Sequence, residues 1–173
     1  EILGDELAPI AKPELPALPV RPPVLCAGCS HRTVFYSLAK LKATVSGDIG
    51  CYTLGCVPPL SAMDTTICMG ASIGAAFGMQ KAGLKNRVAA VIGDSTFFHS
   101  GITGLIDVVY NKGAVTVVVL DNRITGMTGH QQNPGSGKTL LGEETVQVSI
   151  AEVARAVGVK RVREVDAYNQ KEV

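Results

Sequence analysis

Val88-Ala89-Ala90-Val91-Ile92-Gly93-Asp94-Ser95-Thr96 sets five apolar residues directly before a glycine, a carboxylate and two hydroxyls. A short run apolar at every position, rather than at alternate ones, is the mark of a parallel strand covered on both faces. Similar runs recur at Ala43–Ser46 and Val115–Leu120 (VTVVVL), with a weaker one at Arg161–Val165. Helical stretches fall between them: Ser30–Leu41, Gly70–Ala82, Ser100–Asn111 and Ser149–Val157. In the third, Ile102, Leu105, Ile106 and Val109 follow the i, i+3, i+4, i+7 rule and form one apolar stripe. Strand, helix, strand in repetition predicts an α/β domain, a twisted parallel sheet with helices on both faces.

Outward from that pattern the chain divides simply. Six of the sixteen residues from Ala8 to Pro23 are proline, so residues 1–23 read as an extended linker, and residues 24–173 as one domain, a fragment of a longer chain. With 173 residues, 46% of them hydrophobic, there is enough chain for one real core. A net charge of +1, 5% aromatics and no Trp give neither the basic footprint nor the stacking surfaces of a nucleic-acid binder. The longest apolar stretch, Ile67–Met79, is broken by Gly and Ser and is shorter than the roughly 20 residues of a membrane span. Glu1–Lys12 has no basic start followed by an apolar run, so the expected location is the cytoplasm, where five cysteines serve as ligands or redox groups before they serve as disulfides.

In parallel sheets, ligands sit beyond the carboxyl ends of the strands. If Val88–Ile92 and Val115–Leu120 are neighbours, Asp94 and Asn122 emerge on one edge, where a carboxylate and an amide oxygen can share a hard cation. Mg²⁺ takes six oxygens at about 2.0–2.1 Å, commonly one or two carboxylates with phosphate and water. Asp94, Asn122 and a carbonyl from the next loop leave positions that suit a diphosphate, and the amides around Gly93, Ser95 and Thr96 supply its donors. An ordinary turn at each dipeptide is the competing reading; the pair on consecutive strands, before a loop rich in Gly and Thr, favours the cation site.

Gly93-Asp94-Ser95, followed 28 positions after its Asp by Asn122, resembles the thiamine-diphosphate signature, with Ser95 where that pattern usually has Gly. More narrowly, four segments together resemble the large subunit of the indolepyruvate:ferredoxin oxidoreductases. They are Leu25-Cys26-Ala27-Gly28-Cys29-Ser30-His31-Arg32, Gly47-Asp48-Ile49-Gly50-Cys51-Tyr52-Thr53-Leu54-Gly55, Asp64-Thr65-Thr66-Ile67-Cys68-Met69-Gly70-Ala71-Ser72-Ile73 and Met127-Thr128-Gly129-His130-Gln131-Gln132-Asn133-Pro134. The resemblance implies the thiamine-diphosphate-binding fold and the pyrophosphate-binding domain of a 2-oxoacid oxidoreductase. Asp94 and Asn122 would then ligate Mg²⁺ by side chain and Ile124 by its carbonyl. Gly93, Ser95 and Thr96 would hold the diphosphate. Gly50, Cys51, Met69 and Gly70, with Thr125, Gly126, Met127 and Thr128, would wall the rings. The implied enzyme decarboxylates an aryl pyruvate such as indolepyruvate oxidatively, passes electrons to ferredoxin and gives an acyl-coenzyme A. It implies as partners a second subunit in an oligomer and a separate pyrimidine-binding domain carrying the activating Glu, which has no match here, so this fragment holds no catalytic residue of its own.

Cys26-Ala27-Gly28-Cys29 before a helix has several readings. A thioredoxin-like pair lacks its preceding βαβ unit, and half of a zinc site lacks a second C-x-x-C. The wider family places a [4Fe–4S] cluster on cysteines matching Cys26, Cys29 and Cys51, but such a cubane needs a fourth thiolate and Cys56 and Cys68 qualify by proximity alone. Buried thiols that merely shape the pocket are the plainer reading. Gly70, Gly74 and Gly78, four apart, predict close helix packing. Among His31, His99 and His130, those inside motifs, His31 and His130, are the better pocket candidates. No G-x-S-x-G stands at a turn from a predicted strand into a helix, so a hydrolase has no visible nucleophile. Two other functions stay open: a non-oxidative thiamine-diphosphate decarboxylase or synthase, and a non-catalytic α/β module holding a nucleotide or metal.

Overall fold

The sheet is built from four parallel strands, β1 (Thr44–Gly47), β2 (Thr65–Thr66), β3 (Val88–Gly93) and β4 (Thr116–Leu120), in the order β2-β1-β3-β4. The computed structural model describes residues 16–173; most of the proline-rich linker, residues 1–15, lies outside them, and residues 16–24 carry no secondary structure. Helix α1 (His31–Lys40) precedes β1, a 3₁₀ turn (Cys51–Cys56) follows it, and α2 (Ala71–Lys81) links β2 to β3. Between β3 and β4 a continuous helical path runs through α3 (Asp94–Thr96), a π turn (Phe97–Gly101) and α4 (Ile102–Tyr110); α5 (Ile150–Ala156) comes last.

Strand β3 is apolar at every position because each face has its own core. Ala89 and Val91 join Val34, Phe35 and Leu38 of α1, with Val45 and Tyr52. Ala90 and Ile92 join Ile73 and Ala76 of α2, and Phe97, Leu105 and Val108 on the other side. Helices therefore cover both faces, as the alternation predicts. Helix α5 adds Ile150, Val153 and Ala154 to the second core. Its start is fixed by Ser149, whose hydroxyl oxygen accepts from the Glu152 amide at 3.2 Å.

Four details correct the sequence reading. Ile106 of the α4 stripe is 47% exposed, and Val108 is buried in its place, so the inward face follows Ile102, Leu105 and Val108. The five-residue π turn directly upstream, closed by i→i+5 instead of i→i+4 bonds, sets the phase in which α4 meets the sheet. The two-residue β2 escapes pattern reading because it is too short to show a period. Arg161–Val165 forms no strand: β4 has no partner on its outer side among the described residues, and a cleft of about 780 Å³ separates Val118–Leu120 from Val162–Val165. Without a backbone to pair with, the segment's weak β-branched run forms no ladder.

The glycine row divides. A Cβ on Gly70 would lie 2.4 Å from Ser100 Oγ, and its φ of 87° is left-handed, so this position packs against the π turn and needs glycine. Gly74 and Gly78 instead face open space. The close approach between α2 and α4 is made by Gly104, whose Cβ would reach Ile73 at 3.4 Å.

Candidate active site

The order β2-β1-β3-β4 reverses direction at β1, which sends its successor β2 to one side and takes β3 on the other. A crevice opens outside the carboxyl ends of β1 and β3, the place where such sheets bind ligands. The residues that leave those ends line it: Ile49, Gly50, Cys51 and Tyr52 after β1, Gly93, Asp94, Ser95 and Thr96 after β3, and Asn122 and Ile124–Thr128 after β4. His31 from the start of α1, Met69 and Leu120 complete the wall.

The β1 exit is held by Asp48. Its carboxylate is wholly buried and accepts three backbone N–H groups: Ile49 at 2.9 Å, Gly70 at 2.8 Å and Ser72 at 3.0 Å. One side chain thereby ties the turn after β1 to the start of α2. Thr53 Oγ1 accepts from the Gly50 amide at 3.0 Å and donates to the Asp48 carbonyl at 2.7 Å, which closes the loop.

Tyr52 forms the floor. Its hydroxyl donates to the Ile49 carbonyl at 2.8 Å, and burial is the main cause that pushes its pKa up to about 12, so it stays neutral. A Cβ on Gly50 or Gly93 would lie 2.4 or 2.5 Å from the Tyr52 ring. Both glycines are thus demanded by a neighbour, not by their own φ. Gly93→Ala is expected to cost about 1–3 kcal/mol through overpacking against a ring that has little room to retreat; a chemical-denaturation midpoint equal to that of the parent chain would refute the close fit.

Asp94, 4% exposed, accepts from Asn133 Nδ2 at 3.0 Å, and Asn133 Oδ1 accepts from the Gly135 amide at 2.8 Å. Burial pushes the Asp94 carboxyl up; Asn133 and the amides of Ser95 and Ile124 oppose that, and the Asp121 carboxylate reinforces it. None of these neighbours is a cation. Asn122 Oδ1 accepts from the Ile124 amide at 3.2 Å, which turns the loop after β4 inward. Thr125 donates to Ser95 Oγ at 2.8 Å and joins the β3 and β4 exits.

A carboxyl whose folded-state pKa is raised binds its proton more tightly folded than unfolded. Its contribution to stability is therefore greatest at low pH and is lost as pH climbs from the ordinary carboxylate range through the raised value. In chelator-treated protein, Asp94→Asn is expected to melt higher than the parent at neutral pH, with the gap closing on acidification. Parallel melting curves across that range would contradict the raised carboxyl.

The thiols behave differently from the acid. Burial, then the nearness of Cys26 and Cys29, pushes Cys51 up. The expectation of buried thiols is not met: Cys26, Cys56 and Cys68 are exposed, and Cys29 and Cys51 are half-buried. Among the described residues, no three His, Cys, Asp or Glu side chains gather closely enough to hold a metal ion.

Of the ring and diphosphate residues expected from sequence, the crevice gathers all but Gly70, whose amide serves Asp48 instead. His130 and His99 are outside the lining and exposed, whereas His31 is inside it. Ile49, Tyr52, Leu120 and Asn133 were not singled out from sequence. Three of them stand within the quoted motifs, but only the folded arrangement reveals the Tyr52 floor and the Asn133 contact.

A family model described as "Thiamine pyrophosphate enzyme, C-terminal TPP binding domain" matches residues 48–173. The chain belongs to this family. The match takes in the three strand exits that build the crevice of this TPP-binding domain. The domain is also similar to the indolepyruvate oxidoreductase subunit IorA of Archaeoglobus fulgidus, 48% identical over 87% of this chain and 25% of that protein. The corresponding subunit of Pyrococcus abyssi is 47% identical over 90% of this chain and 26% of that protein. The domain thus spans about a quarter of the length of these curated relatives. Among solved structures it is similar to a 2-oxoglutarate:ferredoxin oxidoreductase from Magnetococcus marinus, TM-score 0.68 at 21% identity, over 80% of this chain and 52% of that one. A benzoylformate decarboxylase from Polynucleobacter necessarius aligns with TM-score 0.55 at 18% identity, over 95% of this chain and 32% of that one. At these identities the two structures establish the shared fold. Among the described residues no helix is long and apolar enough to cross a membrane.

Proposed function

We propose that this TPP-binding domain anchors thiamine diphosphate through Mg²⁺, as the pyrophosphate-side domain of an oxidoreductase that decarboxylates aryl pyruvates such as indolepyruvate. Coenzyme A receives the acyl group and ferredoxin the electrons. The observation that carries the reading is Asp94: a buried carboxylate, without a cationic neighbour, in a crevice it shares with Asn122 and Ile124. A buried anion with no counter-charge is costly, and a divalent ion supplies that charge. The donor set of carboxylate, amide and main-chain oxygen suits a hard cation, with diphosphate oxygens and water filling the remaining positions. Similarity to the two archaeal subunits directs the choice of substrate class and acceptor.

Thiamine diphosphate, when bound, supplies a thiazolium able to stabilise the charge left by decarboxylation. The protein's own share is binding and orientation. Asp94, Asn122 and the Ile124 carbonyl would hold the metal, while the amides around Gly93, Ser95 and Thr96 would donate to the diphosphate. Cys51, Met69 and Met127 give an apolar wall that excludes water from the rings. The residues do not complete a [4Fe–4S] site: such a cluster takes four thiolates, and among the described residues no three His, Cys, Asp or Glu side chains gather closely enough to hold a metal, so no electron passes through them in this proposal.

The crevice encloses about 120 Å³, less than the roughly 300 Å³ at which pockets for whole small-molecule ligands begin. This supports a half-site whose other wall comes from a pyrimidine-binding domain carrying the activating carboxylate, within a larger oligomer. Residues 1–173 alone are expected to release no CO₂ from 2-oxoacids. With the partner domain present, calorimetry should show thiamine diphosphate binding that requires Mg²⁺ and is not displaced by ATP or NAD. Displacement by either nucleotide, or turnover by the lone domain, would remove this reading.

A further inference from the structure

His31 is the first residue of α1, and no side chain caps the first turn of that ten-residue helix. Its imidazole is only 5% exposed. Its ring meets the Tyr52 ring edge to face with centroids 6.2 Å apart, and among the described residues no hydrogen bond contributes to its titration. Burial lowers its pKa, so the ring is neutral and carries one donor and one acceptor. Neither ring nitrogen is a fully enclosed, unpartnered atom, so the ring opens to the crevice for its polar contacts. The crevice it lines is where that contact can come from.

The surroundings identify which end of a ligand would meet it. Tyr52, the neighbour of His31, is the ring that abuts Gly93 at the β3 exit. Asn122 and Leu120, at the β4 exit, line both the crevice and the wider cleft, and His31 is the third residue common to the two. Asn122 is among the residues assigned to the metal and Gly93 among those assigned to the diphosphate, so the surroundings of His31 point to the phosphate end of a ligand. We propose that His31 is a cofactor-positioning residue whose ring N–H donates to a phosphoryl oxygen of the ligand in the crevice. This deepens the thiamine-diphosphate reading and rests on it.

The test is calorimetric and needs no turnover. In the full-length chain assembled with its partner domain and saturated with Mg²⁺, thiamine diphosphate and unphosphorylated thiamine are titrated into the parent and into His31→Phe, His31→Asn and His31→Gln. His31→Phe is expected to weaken thiamine diphosphate binding about tenfold, the size of one hydrogen bond to a charged acceptor, and to leave thiamine unchanged. Asn places an N–H near the Nδ1 position and Gln near Nε2, so one of them should restore most of the affinity and identify the donor. Equal affinity of parent and His31→Phe for the diphosphate would overturn the assignment. So would an equal loss for thiamine, or failure of both amides to rescue, since either would make His31 a packing residue only. A parent enzyme that binds no thiamine diphosphate would instead overturn the cofactor reading itself, and this inference with it.

Discussion

Asp94→Ala should abolish Mg²⁺-dependent binding of thiamine diphosphate in the assembled enzyme while the domain stays folded. The side chain combines near-complete burial with a neighbourhood that has no cation, so the proposed ion depends on its charge directly. Loss of groups that only support a metal ligand typically costs 10–100-fold in affinity. Loss of the carboxylate itself should exceed about a hundredfold. Stability is affected through two opposing effects. Asn133 Nδ2 loses its acceptor, at about 1–3 kcal/mol for a buried unsatisfied donor. Removing a poorly solvated carboxylate relieves part of that cost. The discriminating measurement is a calorimetric titration with and without Mg²⁺ beside a melting curve: an unchanged dissociation constant rejects the metal assignment, and a collapsed melting transition rejects the claim that Asp94 serves the ligand more than the fold.

Asp48→Ala should do the reverse and unfold the domain. Here the carboxylate accepts from Ile49, Gly70 and Ser72 and is closed off from solvent, so truncation strands three donors. At about 1–3 kcal/mol for each unsatisfied donor, with partial relaxation, the loss should reach about 3–6 kcal/mol. That is a large share of the roughly 5–15 kcal/mol a domain possesses. Asp48→Asn retains one oxygen acceptor and should lose about half as much. Urea unfolding of both variants checks the order; a stable alanine variant would mean that water replaces the carboxylate and that the β1 exit is less rigid than the hydrogen bonds imply.

These two aspartates show what sequence discloses and what it withholds. Each follows a glycine at the end of an apolar strand, and both Gly47-Asp48 and Gly93-Asp94 stand in quoted motifs. Only Asp94 was picked out as a ligand, on the strength of its pairing with Asn122 across consecutive strands. The three amide contacts of Asp48 come from residues up to 24 positions away, a distance over which local pattern is silent. The same holds for Tyr52: nothing in its neighbours' identities announces that two glycines from different strands must make room for its ring. Strand β3 is legible because burial on both faces leaves an unbroken apolar run, and β1 and β4 because short runs rich in β-branched residues mark them. Arg161–Val165 misled for the complementary reason, since a β-branched run records a tendency to pair and not the presence of a mate.

The outer side of β4 has a consequence for handling the protein. Val115–Leu120 is a six-residue run of high β-propensity without charge, proline or glycine, and its unmatched amides and carbonyls border a cleft wide enough to admit foreign chain. Natural proteins guard such borders with lysine, proline or a bulge, none of which interrupts this run. Concentrated stocks of the excised domain should therefore coalesce into fibrillar, dye-binding precipitate, and Thr116→Lys, at the exposed start of β4, would be the first solubilising substitution to make.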